Sequence, residues 1–144
     1  MKTKTVLLMV ITLCLMVGGM GCEKEKSNTD IIKQKLIGKW KWEVSYGGAV
    51  GISKPIPGEK LVMEFTDERV LSVYNGEVRL YGSYAINEES DRYFITFTPD
   101  STFSQPTISS SKSEFSFSEN FTQLGFSFFQ GTAKFSQIFK RINN

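Results

Sequence analysis

Between Gly38 and Ile142 the chain alternates apolar and polar residues with a period of two, and turn-forming residues interrupt that alternation at short intervals. A strand presents successive side chains to opposite faces, so this pattern predicts half-buried β-strands and excludes a helical domain. In "GKWKWEVSY", Trp40, Trp42 and Val44 fall on one face, with Lys39, Lys41, Glu43 and Ser45 on the other. Leu61, Met63 and Phe65 mark a second strand, and "TDER" turns it into a third from Val70 to Tyr74. Asn75-Gly76 is a strong two-residue hairpin signal, because both residues tolerate positive φ. Val78, Leu80, Tyr84 and Ile86 follow as a fourth strand that contains Gly82. "NEESD" then turns the chain into Tyr93, Ile95 and Phe97, and Pro99-Asp100 ends that fifth strand. A Ser/Thr-rich connection running to Lys112 leads to a sixth strand at Phe115 and Phe117, a seventh at Leu124, Phe126 and Phe128, and an eighth at Phe135, Phe139 and Arg141.

Eight strands joined mostly by short turns predict an all-β fold, an eight-stranded antiparallel up-and-down β-barrel. Closure is expected because it removes the exposed edges that an open sheet would leave. Ahead of the first strand, Asp30 is placed to cap a short helical turn through "IIKQKLI", which Gly38 stops.

The first 22 residues have a different character. Lys2 and Lys4 precede an apolar run from Val6 to Val17, and Gly18, Gly19 and Gly21 lead to Cys22. This is the layout of a signal peptide, and its core is shorter than the roughly 20 apolar residues that a membrane-spanning helix needs. Glu23 to Thr29, "EKEKSNT", has no apolar residue and reads as a solvated tether. The expected organisation is a signal peptide over 1–21, a tether over 22–35 and one barrel domain over 36–144.

Charge and composition narrow the function. Removing Lys2 and Lys4 with the signal takes seventeen Lys and Arg to fifteen, equal to the fifteen Asp and Glu, so a chain starting at Cys22 is formally neutral. That balance lacks the basic footprint of a nucleic-acid binder. The chain contains no histidine, which removes the commonest general base and metal ligand. Cys14 leaves with the signal, so Cys22 has no partner for an internal disulfide. Glu88, Glu89 and Asp91 crowd one turn, where a solvated cluster is expected rather than a tuned acid–base pair. "GGAVG" lacks the Lys-Ser/Thr of a phosphate loop. The expectation is a protein that is not an enzyme and uses no metal and no cofactor; its oligomeric state is not encoded in any motif.

Two resemblances sharpen this reading. Gly19-Met20-Gly21-Cys22 is similar to the lipobox of bacterial lipoproteins, with Gly19 where leucine is usual. The resemblance implies that Cys22 carries a diacylglyceryl group and acyl chains such as palmitate, giving a membrane anchor in the cell envelope. The absence of Asp after Cys22 favours the outer membrane. Each buried methylene contributes about 0.8 kcal/mol, so two or three chains hold a protein to a bilayer durably. "LIGKWKWE" resembles the first-strand Gly-x-Trp motif of the lipocalins, and more closely the lipocalin-like domains of Bacteroidetes-type lipoproteins. Gly38 and Trp40 match the motif, and Arg141 in "FKRI" matches the last-strand basic residue that lies across the motif tryptophan in that family.

The lipocalin resemblance implies a small hydrophobic ligand entering beneath the loop between the first two strands, here Gly47 to Glu59. Its glycines and prolines oppose regular structure, while Ile52 and Ile56 suit either a lid over an apolar mouth or packing on the barrel rim. Tyr84, Tyr93 and Gln137 are inward candidates whose polar groups either orient a ligand or are satisfied within the core. All twelve phenylalanines lie between Phe65 and Phe139, and an eight-stranded interior is only just wide enough to be filled by side chains or to hold one small ligand. Two functions follow: a membrane-anchored carrier of a small hydrophobic molecule, or an interaction lipoprotein whose barrel is solid.

Overall fold

The computed structural model describes residues 27–48, 51–100 and 112–142. The expected signal peptide, Cys22, tether residues 23–26 and most of the Ser/Thr-rich connection lie outside the described residues. Helix α1 covers Asn28–Leu36. The strands are β1 (Gly38–Gly47), β2 (Gly51–Ser53), β3 (Leu61–Phe65), β4 (Arg69–Tyr74), β5 (Glu77–Glu89), β6 (Arg92–Pro99), β7 (Ser113–Phe117), β8 (Gln123–Gln130) and β9 (Ala133–Ile142).

Strands β3 to β9 pair in sequence order, every pair antiparallel, and β1 pairs with both β3 and β9. The first and last strands are joined from Lys39 opposite Ile142 to Gly47 opposite Phe135, so the sheet closes into an eight-stranded barrel. Strand β2 is an addition to that count. It lies beyond β3 along the same edge of β1, with Tyr46 opposite Ile52, so the glycine-rich loop contains a short strand that its composition argued against.

Because the strands run up and down, α1 and the 66–68, 90–91 and 118–122 connections share one end of the barrel. Residues 54–60 and the 75–76 and 131–132 turns lie at the far end. Asn75 and Gly76 both take positive φ, as their hairpin requires, and Ser90 and Asp91 do the same between β5 and β6.

The helix begins earlier than expected. Ser27, not Asp30, is the N-cap: its hydroxyl accepts from the Asp30 amide at 3.2 Å, and the Asp30 carboxylate accepts from the Ser27 amide at 3.2 Å. This reciprocal pair satisfies two amides that the first turn otherwise leaves open. Leu36 is fully buried and Ile32 packs on the core, which fastens α1 to the barrel.

Two β-bulges change which side chains face inward. The β1–β9 register shifts between Trp42 and Val44, so Glu43 is an extra residue and Val44 stands opposite Ile138. Phe139 is buried, so its neighbour Ile138 faces outward and takes Val44 with it. Val44 therefore does not continue the Trp40 and Trp42 face. A second shift, between Ser72 and Val73, does the same to Val78, which is exposed while Leu80 is buried. An inserted residue reverses the alternation by one step, which no count of period-two positions anticipates.

Gly82 sits where β5 and β6 approach closely. A Cβ there would lie 2.2 Å from the Thr98 carbonyl oxygen, a backbone atom that cannot swing aside. At Gly125 an added Cβ would press most closely on the Ile138 Cδ1, the movable end of a side chain, at 3.3 Å, with Ser116 at ordinary contact distance. Gly82→Ala is expected to lose about 1–3 kcal/mol by overpacking, and Gly125→Ala less than half as much, in paired urea denaturations.

Candidate ligand site

Three zones could accommodate chemistry or a ligand: the α1 end, the interior and the far end. The α1 end is plugged. Trp40 is fully buried, and its indole Nε1 donates to the Leu36 carbonyl at 2.8 Å. The Arg141 guanidinium lies over the Trp40 ring at 4.2 Å and donates to the carbonyls of Ile37 at 3.1 Å, Phe121 at 3.2 Å and Lys35. Its backbone amide donates to the Thr122 carbonyl at 2.8 Å. Burial pulls the Arg141 pKa down from the ordinary arginine value.

Gly38 is required at this point for two reasons. Its φ is +130°, which side chains other than glycine's rarely adopt, and an added Cβ would come within 3.1 Å of the Arg141 Nη1. Gly38, Trp40 and Arg141 thus form a floor, and no ligand contact is assigned to them. Lys35 over the Phe121 ring and Lys33 over the Tyr84 ring add cations around the plug.

Aromatic rings fill the space above the floor. Phe65 contacts Tyr84 at 5.4 Å and Phe97 at 6.3 Å between centroids, and Phe97 contacts Phe126 at 6.2 Å. Phe126 meets Phe115 at 6.3 Å, Phe115 meets Phe117 at 5.9 Å, and Phe117 meets Trp40 at 5.8 Å. This chain of rings crosses the barrel from β5 to β1 at separations where aromatic pairs attract.

The candidate residues do not converge. Tyr84 lies near α1, and its hydroxyl donates to the Thr66 carbonyl at 2.6 Å, so its polar group is satisfied within the protein. Burial, with a smaller contribution from Asp67, pushes its pKa up to about 12. Tyr93 packs against Phe115 with centroids 6.1 Å apart. Gln137 is half-buried opposite Phe126 and Ser45, on the inward face of β9.

At the far end, Ile52 and Ile56 are 62% and 69% exposed, so neither packs on the rim. Ile52 stands opposite Tyr46, which the bulge has turned outward, and it therefore faces the outer wall rather than the mouth. Tyr46 at 45% and Phe129 at 71% exposure complete an apolar rim that period counting overlooked. The adjacent Phe128 and Phe129 carried the signal for one of them, because neighbours in a strand cannot share a face. Inside that rim, Phe128 and Phe135 stack at 5.7 Å with their planes 13° apart and form the top of the packed interior. Glu59 receives the Tyr74 hydroxyl and the Ile56 amide, which lowers the carboxyl pKa and ties the 54–60 segment to β4.

One well-defined hollow lies outside the barrel. It measures about 930 Å³ and sits on the outer wall, between β1, β9 and the segment after β2. Glu88, Glu89 and Asp91 are all exposed, and Lys112 pairs with Glu89, in keeping with a solvated cluster. Among the described residues, no group of three potential ligands is placed to hold a metal, and no helix is long and apolar enough to cross a membrane. No protein-family model matches the chain, and comparison with curated proteins gives no match.

The plug and the buried phenol generate separate expectations. Arg141→Lys keeps the charge but lacks the planar spread of three nitrogens that reaches separate carbonyls while lying on Trp40, so a loss of about 1–3 kcal/mol is expected in urea denaturation. For Tyr84, the folded phenol holds its proton up to about pH 12, whereas the unfolded phenol releases it near 10. The unfolded state therefore binds fewer protons between these values, and stability falls as pH rises through that window. Tyr84→Phe removes this part of the alkaline loss, read as the difference between wild type and variant in denaturation series from pH 9 to 12.

Proposed function

We propose that the chain is a non-catalytic, lipid-anchored lipoprotein of the cell envelope, lipocalin-like in architecture, that binds a small hydrophobic ligand at the far end of its barrel. An eight-stranded antiparallel barrel is compatible with a lipocalin-like binding fold. The observation that carries the reading is the distribution of unburied apolar side chains. Of the eight large hydrophobic residues exposed among those described, Tyr46, Ile52, Ile56, Val78 and Phe129 lie at or beside the far end. Scattered apolar residues need no explanation, whereas a concentration at one end of a sealed barrel marks a contact surface.

The aromatic chain of the interior favours a second reading on its own account. A barrel filled from Trp40 to Phe135 leaves its rim as the working surface, and the partner is then a protein of the envelope, with no small molecule in the barrel. Under both readings Cys22 is the lipid attachment site and the outer membrane is the preferred location.

Displacement of a fluorescent fatty acid, followed with native mass spectrometry of protein from its own host, separates the two. The carrier reading expects stoichiometric ligand, with capture weakened by Ile56→Ser with Phe129→Ser at unchanged melting temperature. A barrel that ignores every probe abandons it in favour of the partner surface. Labelling cells with palmitate is expected to mark the wild type and not Cys22→Ser, and label on both proteins removes the anchor from the proposal.

A further inference from the structure

The outer-wall hollow is built from the residues that the β1 bulge turns outward. On this face Lys41 stands directly opposite Lys140, and Val44 directly opposite Ile138, with Tyr46 beyond them. Lys54 and Pro55, which follow β2, form the opposing wall. Like charges directly opposite in an antiparallel pair are destabilising, and none of the ion pairs among the described residues relieves Lys41 or Lys140. Lys39, one step along the same face, is by contrast paired with Glu64 at 3.7 Å. Glu43 is the acidic residue on the hollow, so three lysines face one carboxylate around an apolar floor.

We propose that this hollow binds a medium-chain acyl carboxylate, with the head group between Lys41 and Lys140 and the tail along Val44, Ile138 and Tyr46. A carboxylate seated between the two lysines offsets their repulsion and gains charge-assisted hydrogen bonds. The floor supplies the apolar burial for the tail. From Lys140 to Ser136, the residue opposite Tyr46, β9 advances about 14 Å at ~3.4 Å per residue, a span that suits an acyl chain of about ten carbons. The volume of about 930 Å³ lies within the range of small-molecule sites, roughly 300–1,000 Å³. The site is outside the barrel and shares Tyr46 with the far-end rim but not Phe129, so a ligand bound at the mouth is distinguishable from it.

The test is amide chemical-shift mapping and calorimetry on the full-length chain with sodium decanoate below its micellar concentration, against 1-decanol and a short poly-glutamate peptide. Decanoate is expected to shift the amides of Lys41, Val44, Ile138 and Lys140. It is expected to bind roughly tenfold or more tightly than decanol, and Lys41→Gln with Lys140→Gln removes that advantage. The same double variant is expected to melt no lower than the wild type, because neutralising the pair relieves repulsion. Phe129→Ser, on the far-end rim but not on the hollow, leaves decanoate binding at this site unchanged, which separates its failure from failure of the mouth. Equal binding of decanoate and decanol, shifts confined to the far end, poly-glutamate binding as tight as decanoate, or a lower melting temperature in the lysine double variant would each overturn the proposal.

Discussion

The contact between β1 and β9 holds the rest of the structure in place. It brings residues about a hundred positions apart in sequence into register, and Trp40 and Arg141 are themselves a register pair within it. The arginine can stack on the indole because the two strands are neighbours, and it can cap the carbonyls of Ile37 and Lys35 because α1 ends against the same edge. The contact closes the sheet, seals one end and docks the helix through a single group of residues. Their effects on stability are therefore coupled, and truncating any one of them unsettles the others.

An interior crowded with aromatic rings directs attention to the periphery. Seven buried aromatic residues, Trp40, Trp42, Phe65, Phe97, Phe115, Phe126 and Phe139, crowd an interior that eight strands make only just wide enough for side chains or one small ligand. Tyr84, selected for its inward hydroxyl, belongs to this packing, and its phenol bonds to a turn carbonyl at the α1 end. Trp40, Tyr84 and Arg141 donate to backbone carbonyls, while large apolar groups stay outside, at the rim and around the bulge.

Much of this was legible in the chain itself. Strict alternation, the Asn75-Gly76 hairpin and the placement of Gly38, Trp40 and Arg141 were enough to anticipate a closed antiparallel barrel with an indole floor. Period counting failed at Val44 and Val78, each of which follows or precedes a single inserted residue that costs a strand its phase. Ile52, read from composition as part of an irregular loop, takes its orientation from Tyr46 across the ladder. The Ser27 cap was hidden because Asp30 is also a good capping residue, and only the geometry shows that the two act reciprocally. The lysines of the outer wall are unremarkable in sequence; their juxtaposition arises only when the last strand returns to the first.

The docking of α1 also sets a polarity. The helix covers the floor and its first residues follow directly on the segment leading back to Cys22. From Cys22 to Ser27 a fully extended chain reaches at most about 18 Å, less than two sheet spacings. Anything that grips the protein by that short leash holds it foot-first, like a cup standing on its base, with the rim as the part of the molecule farthest from the support.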